Sequence, residues 1–311
     1  MPQETPRRVR WEAFVAVLYA AGWCAQAQPL LAPGRSLFRA DANLILVPLS
    51  VTDARGASIP GLSAENFTVL DDRRAQRIVA FYADDVPASI GIVLDVSGST
   101  AGIFEQEKAA VRAFLDHSNP EDDYFLATVS SNPHLLADHV DDSSEIDNLL
   151  LWQKAGGGTA LCDTVHFALH EARLHPRSRR VLLVISDGMD NHSRYSRQEL
   201  IGEAMESDTA IHTIALADPA AGAKGLSGAE RQRGLAFMGD LAQKSGGVSV
   251  RLGVDDNPRD AAARISAAVR NQYVLGYLSP DGDGTGRRHS IQVQVNLREA
   301  RVHARTGYQL R

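Results

Sequence analysis

Apolar and polar positions change rhythm twice along this chain, near residue 88 and again near residue 272. Between those points, short apolar runs alternate with stretches whose apolar residues recur at helical spacing. The run 90–94 is apolar throughout, as in a strand buried on both faces in the middle of a parallel sheet. Ile103, Val111, Phe114 and Leu115 then share one face of a helix predicted over about 103–117. Strands are predicted at 124–130, 135–140, 179–188, 210–216 and 248–252. Helical turns are predicted over 143–153, and helices over 161–174, 196–206, 235–244 and 258–271. The stretch 219–234, rich in Ala, Gly and Ser, reads as a surface insertion. This alternation predicts an α/β fold with a doubly wound, mostly parallel sheet and helices on both faces.

The two ends read as β structure. Strands are predicted at 44–53, 67–72 and 77–84, with turn residues at Arg55-Gly56 and Pro60-Gly61. After the central domain come 272–279, the strictly alternating 289–297, and 302–310. Each set alone is small for an independent core, so both chain ends are expected to share one flanking β-sandwich-like module. The expected organisation is a leader at 1–27, a linker at 28–42, an N-terminal β module at 43–87, the α/β domain at 88–272, and a C-terminal β segment at 273–311.

The leader is read as an export signal. Arg7, Arg8 and Arg10 precede the apolar stretch from Phe14 to Trp23, and Ala25-Gln26-Ala27 offers a small-residue cleavage site. The apolar stretch is well short of the ~20 residues a membrane span needs, so no integral span is expected in the mature chain. The expected location is the periplasm, cell surface or medium. Cleavage would change the formal charge from −6 to −7 and remove Cys24, leaving Cys162 with no intrachain disulfide partner. Cys162 is expected to pack as a small buried hydrophobe. No basic stripe stands out, which argues against a nucleic-acid partner.

The candidate chemistry begins where the 90–94 run ends, at Asp95-Val96-Ser97-Gly98-Ser99. A strand emerging there delivers its polar residues to the carboxyl edge of the sheet, where open α/β sheets bind ligands. One carboxylate and two hydroxyls on a tight loop suit a hard divalent cation such as Mg²⁺. Gly156-Gly157-Gly158-Thr159 precedes a helix, and Ser186-Asp187-Gly188 closes another buried strand, so Thr159 and Asp187 are expected at the same edge.

These three segments, DVSGS, GGGT and ISDG, in this order and spacing, resemble the metal-ion-dependent adhesion site (MIDAS) of von Willebrand factor type A domains. The likeness covers about residues 88–275. The flanking segments are similar to bacterial exported proteins grouped as VWFA-related. The resemblance implies that Ser97, Ser99 and Thr159 ligate the cation through hydroxyls, with Asp95 and Asp187 acting directly or through water. Mg²⁺, Mn²⁺ or Ca²⁺ would be the ion. Few protein charges would touch it, leaving a position for an Asp or Glu carboxylate of a protein partner. The expected function is therefore an exported, metal-dependent adhesion or interaction module, not an enzyme. Two alternatives stay open at this point: a scaffold in an envelope assembly with a purely structural ion, and a metal-dependent hydrolase, for which no convincing base stands nearby.

Other motifs carry less. His170-Glu171-Ala172-Arg173-Leu174-His175 resembles a zinc-protease HExxH with the second His one place late. On a continuous helix those two positions lie about 140° apart. His166 and His170 share a helical face but lack an evident third ligand. Ser97 lacks the Gly-x-Ser-x-Gly setting of a hydrolase nucleophile, and the glycine run lacks the Lys of a phosphate loop. Asp281-Gly282-Asp283-Gly284 lacks the distal Glu of a calcium loop. Asp190 and Asn191 read equally as site rim and as turn or cap residues.

Overall fold

Strand β5 (Ser89–Asp95) organises the molecule, because its alternate side chains feed two different cores. Ile90, Ile92 and Leu94 join one apolar cluster and Val93 the other. The computed structural model describes residues 44–175, 177–216, 227–253, 256–279 and 286–309. The leader, the linker and the 281–284 loop therefore lie outside the described residues.

Around β5 lie β6 (Asp123–Val129), β7 (His134–Val140), β8 (Arg180–Ser186), β9 (Thr209–Leu216) and β10 (Ser249–Leu252). The sheet order is β10-β9-β8-β5-β6-β7, parallel except for β7 at one edge. Helices α1 (Phe104–Leu115), α2 (Ser143–Trp152) and α6 (Pro258–Arg270) cover one face through Val111, Phe114, Ile146, Leu150 and Ile265. Helices α3 (Leu161–Ala172), α4 (Arg197–Glu206) and α5 (Gly228–Ser245) cover the other through Val165, Leu169, Leu200, Met238 and Leu241. The doubly wound α/β expectation holds.

Two antiparallel sheets complete the chain. One has the order β13-β1-β11-β4 and the other β14-β12-β2-β3. The strands from before the α/β unit are β1 (Leu44–Thr52), β2 (Phe67–Asp71), β3 (Arg74–Gln76) and β4 (Ile78–Tyr82). Those from after it are β11 (Tyr273–Leu278), β12 (Arg288–Val295), β13 (Arg301–Ala304) and β14 (Gly307–Gln309). β11 lies between β1 and β4, and β2 pairs with β12, so both chain ends interleave around one core containing Val47, Leu49, Phe67, Tyr273 and Ile291. Inside it, the buried Asp71 carboxylate accepts hydrogen bonds from the hydroxyls of Tyr277 (2.9 Å) and Tyr308 (2.7 Å).

Three local expectations are corrected. Helix α5 begins at Gly228, not 235, because Ser227 and Glu230 form a reciprocal capping box at its start. Residues 228–234 are thus helical rather than part of an insertion, while 217–226 lie outside the described residues. The predicted strand 302–310 divides at Arg305-Thr306 into β13 and β14, which belong to different sheets. The sequence reading also passed over the short β3.

Candidate functional site

β5 leads through α1 to β6 on one side, and β8 leads through α4 to β9 on the other, so the winding of the sheet reverses between β5 and β8. Ligands of open α/β sheets bind at the carboxyl ends of such a strand pair. Asp95 closes β5 and is fully buried. Ser97 and Ser99 flank the start of the single 3₁₀ turn Gly98–Thr100 that follows it. Asp187 comes directly after β8.

A short hydrogen-bond network fixes these groups. The Ser97 N–H donates to Asp95 Oδ1 (2.9 Å), and the Ser186 hydroxyl donates to Asp95 Oδ2 (2.6 Å). Ser97 Oγ and Ser99 Oγ stand 3.0 Å apart. The glycine loop is laced to the first loop by Gly98 N–H to Gly157 O (3.1 Å) and Gly156 N–H to Val96 O (2.7 Å). Thr159 is buried, and its N–H donates to Asn191 Oδ1 (2.9 Å), while the Asn191 and His192 N–H groups donate back to Thr159 O. The structure therefore brings together the three loops that carry Asp95, Ser97, Ser99, Thr159 and Asp187.

Asp190 and Asn191 act across loops. Asp190 Oδ2 accepts from the Cys162 N–H (2.7 Å) in the first turn of α3 and from the Ser193 hydroxyl (2.7 Å). Ser193 Oγ in turn accepts from the Asp163 N–H (3.1 Å). The residue preceding α3 is Ala160, which has no side chain to cap it, so the loop after β8 supplies the missing acceptors. Cys162 is buried in the core as expected, and burial pushes its thiol pKa up.

The electrostatics follow from crowding. Burial above all, and the Asp187 charge after it, raise the Asp95 carboxyl to about 7, against the opposing bonds from Ser186 and Ser97. Glu107 is a second consequence. It lies one turn beyond Ile103 and one before Val111, on the buried face of α1. Burial pushes its carboxyl well above the usual range, with Asp95 and Asp187 adding to the effect. The sequence reading missed Glu107 because of its residue type, although its position on the helical ladder indicated burial.

The donor set fits a hard cation. It offers five oxygen-bearing side chains, and the Asp187 charge is close enough to raise the proton affinity of Asp95. The loop glycines keep the set compact. Gly188 has φ +74°, and a Cβ there would meet Gly234 O of α5 at 2.3 Å, so both backbone shape and packing demand glycine.

Against known proteins, residues 90–189 match the family model described as von Willebrand factor type A domain. Over this span the chain is similar to von Willebrand factor type A domains. The matched span starts in β5 and ends just beyond Gly188, so it contains all three loops of the site. Among solved structures, the domain is similar to the conserved hypothetical protein BatB from Bacteroides thetaiotaomicron, at 17% identity and TM-score 0.47, over 59% of this chain and 97% of that one. It is also similar to a von Willebrand factor type A protein from Catenulispora acidiphila, at 9% identity and TM-score 0.48, over 86% of this chain and 74% of that one. A third likeness is to the vWF domain of the type V pili tip protein Mfa5 from Porphyromonas gingivalis, at 13% identity and TM-score 0.46, over 60% and 95%. A comparison with curated proteins finds no match.

Proposed function

We propose that this chain is an exported protein-interaction module whose von Willebrand factor type A domain holds a divalent cation, Mg²⁺ foremost and Mn²⁺ or Ca²⁺ in its place. The ligands are Asp95, Ser97, Ser99, Thr159 and Asp187, and the partner is a protein that offers an Asp or Glu carboxylate. The observation that carries this reading is the interlocking of three oxygen-bearing loops at the point where the sheet reverses its winding. When bound, the cation supplies an electrophilic position for an anionic group, because its protein ligands are mostly neutral hydroxyls.

The chain's own residues do the rest. Ser186 orients the Asp95 carboxylate, Asn191 holds the Thr159 backbone, and the links between the first two loops set the spacing of the hydroxyls. Glu107 lies buried behind the site, where burial pushes its carboxyl well above the usual range. Trp152 and Leu151, at the carboxyl end of α2 just before the glycine loop, are 83% and 63% exposed. An exposed aromatic is the kind of anchor protein interfaces use. Export rests on the basic and apolar pattern of residues 1–27. Among the described residues, no helix is long and apolar enough to cross a membrane.

Calorimetric titration of the chain with Mg²⁺, Mn²⁺ and Ca²⁺, beside Asp95→Ala, tests the reading. One saturable site in the wild type, weakened at least a hundredfold in the variant while the fold persists, is the expected result. Equal binding by both proteins would refute it. Partner capture that survives chelation would leave a cation serving structure alone.

A further inference from the structure

At the opposite, amino-terminal edge of the same sheet lies a second group of metal-ligating side chains. It sits roughly 20 Å from the first, the length of a seven-residue strand. Its centre is His175, the last residue of the altered HExxH segment. In the structure α3 ends at Ala172, and the chain turns so that the His175 side chain is only 2% exposed.

The two ring nitrogens have different surroundings. Nδ1 lies 3.0 Å from Oδ1 of the buried Asp123, the first residue of β6. The other oxygen of Asp123 is already taken by the Ser89 hydroxyl (2.9 Å) and Arg177 Nε (2.9 Å), which fix the orientation of this carboxylate. With Asp123 Oδ1 as the acceptor beside it, Nδ1 donates, and in that tautomer the ring presents a lone pair at Nε2. Nε2 is buried, makes no hydrogen bond, and stands 3.4 Å from Asp138 Oδ1 on β7. Ligand atoms of Asp138, Glu171 and His175 all lie within 4.8 Å of one another.

The 3.4 Å spacing is informative. A proton shared between imidazolium and carboxylate draws nitrogen and oxygen to about 2.8 Å. Two ligands at about 2.0–2.2 Å from a tetrahedral Zn²⁺ stand about 3.4 Å apart. An Asp that holds the far ring nitrogen of a metal-ligating His is also the usual outer support of zinc sites.

We infer that His175 Nε2, Asp138 and Glu171 form a second cation site, for a borderline transition-metal ion of the Zn²⁺ class, with Asp123 as the positioning residue behind His175. The mixed nitrogen and oxygen donor set separates it chemically from the all-oxygen set at the other edge. Asp138 is 61% exposed, so the ion can enter from solvent and keep water in a remaining position.

The test uses the full chain carrying Asp95→Ala and Asp187→Ala, which silences the carboxyl edge, with Co²⁺ as the probe and Zn²⁺ as competitor. One equivalent of Co²⁺ giving visible d–d bands of low-symmetry tetrahedral or five-coordinate type, displaced by Zn²⁺, is expected. Adding Asp138→Asn with Glu171→Gln should weaken binding at least a hundredfold, and Asp123→Asn alone by about ten- to a hundredfold. Circular dichroism of each variant checks that the fold is kept. Absence of the bands, or Co²⁺ affinity unchanged by Asp138→Asn with Glu171→Gln, would overturn the site.

Discussion

Asp95 sits at a strand end where no water reaches it, held on one side by Ser97 and on the other by Ser186. Its carboxyl is raised to about 7 without a cation, chiefly by burial. Cation binding must then displace that proton, so affinity should rise with pH up to about 7 and fall by as much as about tenfold per unit below it. Titrations at pH 5.5, 6.5 and 7.5 would show this, and a flat profile would count against Asp95 as a ligand. Ser186→Ala removes the 2.6 Å bond and should weaken Mg²⁺ binding by about ten- to a hundredfold with little change in melting temperature. The five candidate ligands were legible because a strand end, a glycine loop and a second strand end each carry a local signature. Ser186 was hidden for a different reason. Its role depends on β8 lying beside β5 in the register that sets Leu94 opposite Ile185, which one strand's pattern does not contain.

Helix α5 shows how a distant element shapes the site. Gly234 lies against the backbone of Asp187 and Gly188, and a Cβ there would stand 2.9 Å from Asp187 O. Gly234→Ala should therefore push the loop outward, costing about 1–3 kcal/mol of stability and lowering cation affinity several-fold. Urea unfolding and calorimetry measure the two effects. The length of α5 was misread because Ala, Gly and Ser dominate its approach, yet the Ser-x-x-Glu of its capping box stood in the sequence at 227–230. The division of the last predicted strand was not legible at all. Residues 301–309 keep a strand-like composition throughout, and only the two sheets they join decide where the chain must bend.

At the scale of the molecule, His212 of β9 lies fully buried and feels the charge of His303 on β13, a strand of the flanking sandwich. Burial above all holds its pKa down, from 6.5 to about 3. The unfolded chain therefore binds a proton that the folded chain refuses. Stability from this residue is complete above pH 6.5 and falls as pH drops towards 3, by up to about 1.4 kcal/mol per unit. His212→Asn, whose side-chain oxygen can still accept the Val248 N–H that His212 Nδ1 now accepts, should flatten that acid slope in denaturant titrations from pH 7 to 4. The fold class was readable here because strand-helix alternation is a long-range rhythm with little ambiguity, whereas a buried histidine in an apolar strand leaves no mark on that rhythm. The interleaved sandwich has a kinetic meaning as well. Asp71 and Tyr308 meet across 237 residues of chain, so their contact carries a large loop-closure cost for a random coil. Folding of the intervening α/β unit would bring the two ends close and lower that cost, so the sandwich is expected to form after it, and a nascent chain can complete the sandwich only once β14 has been made.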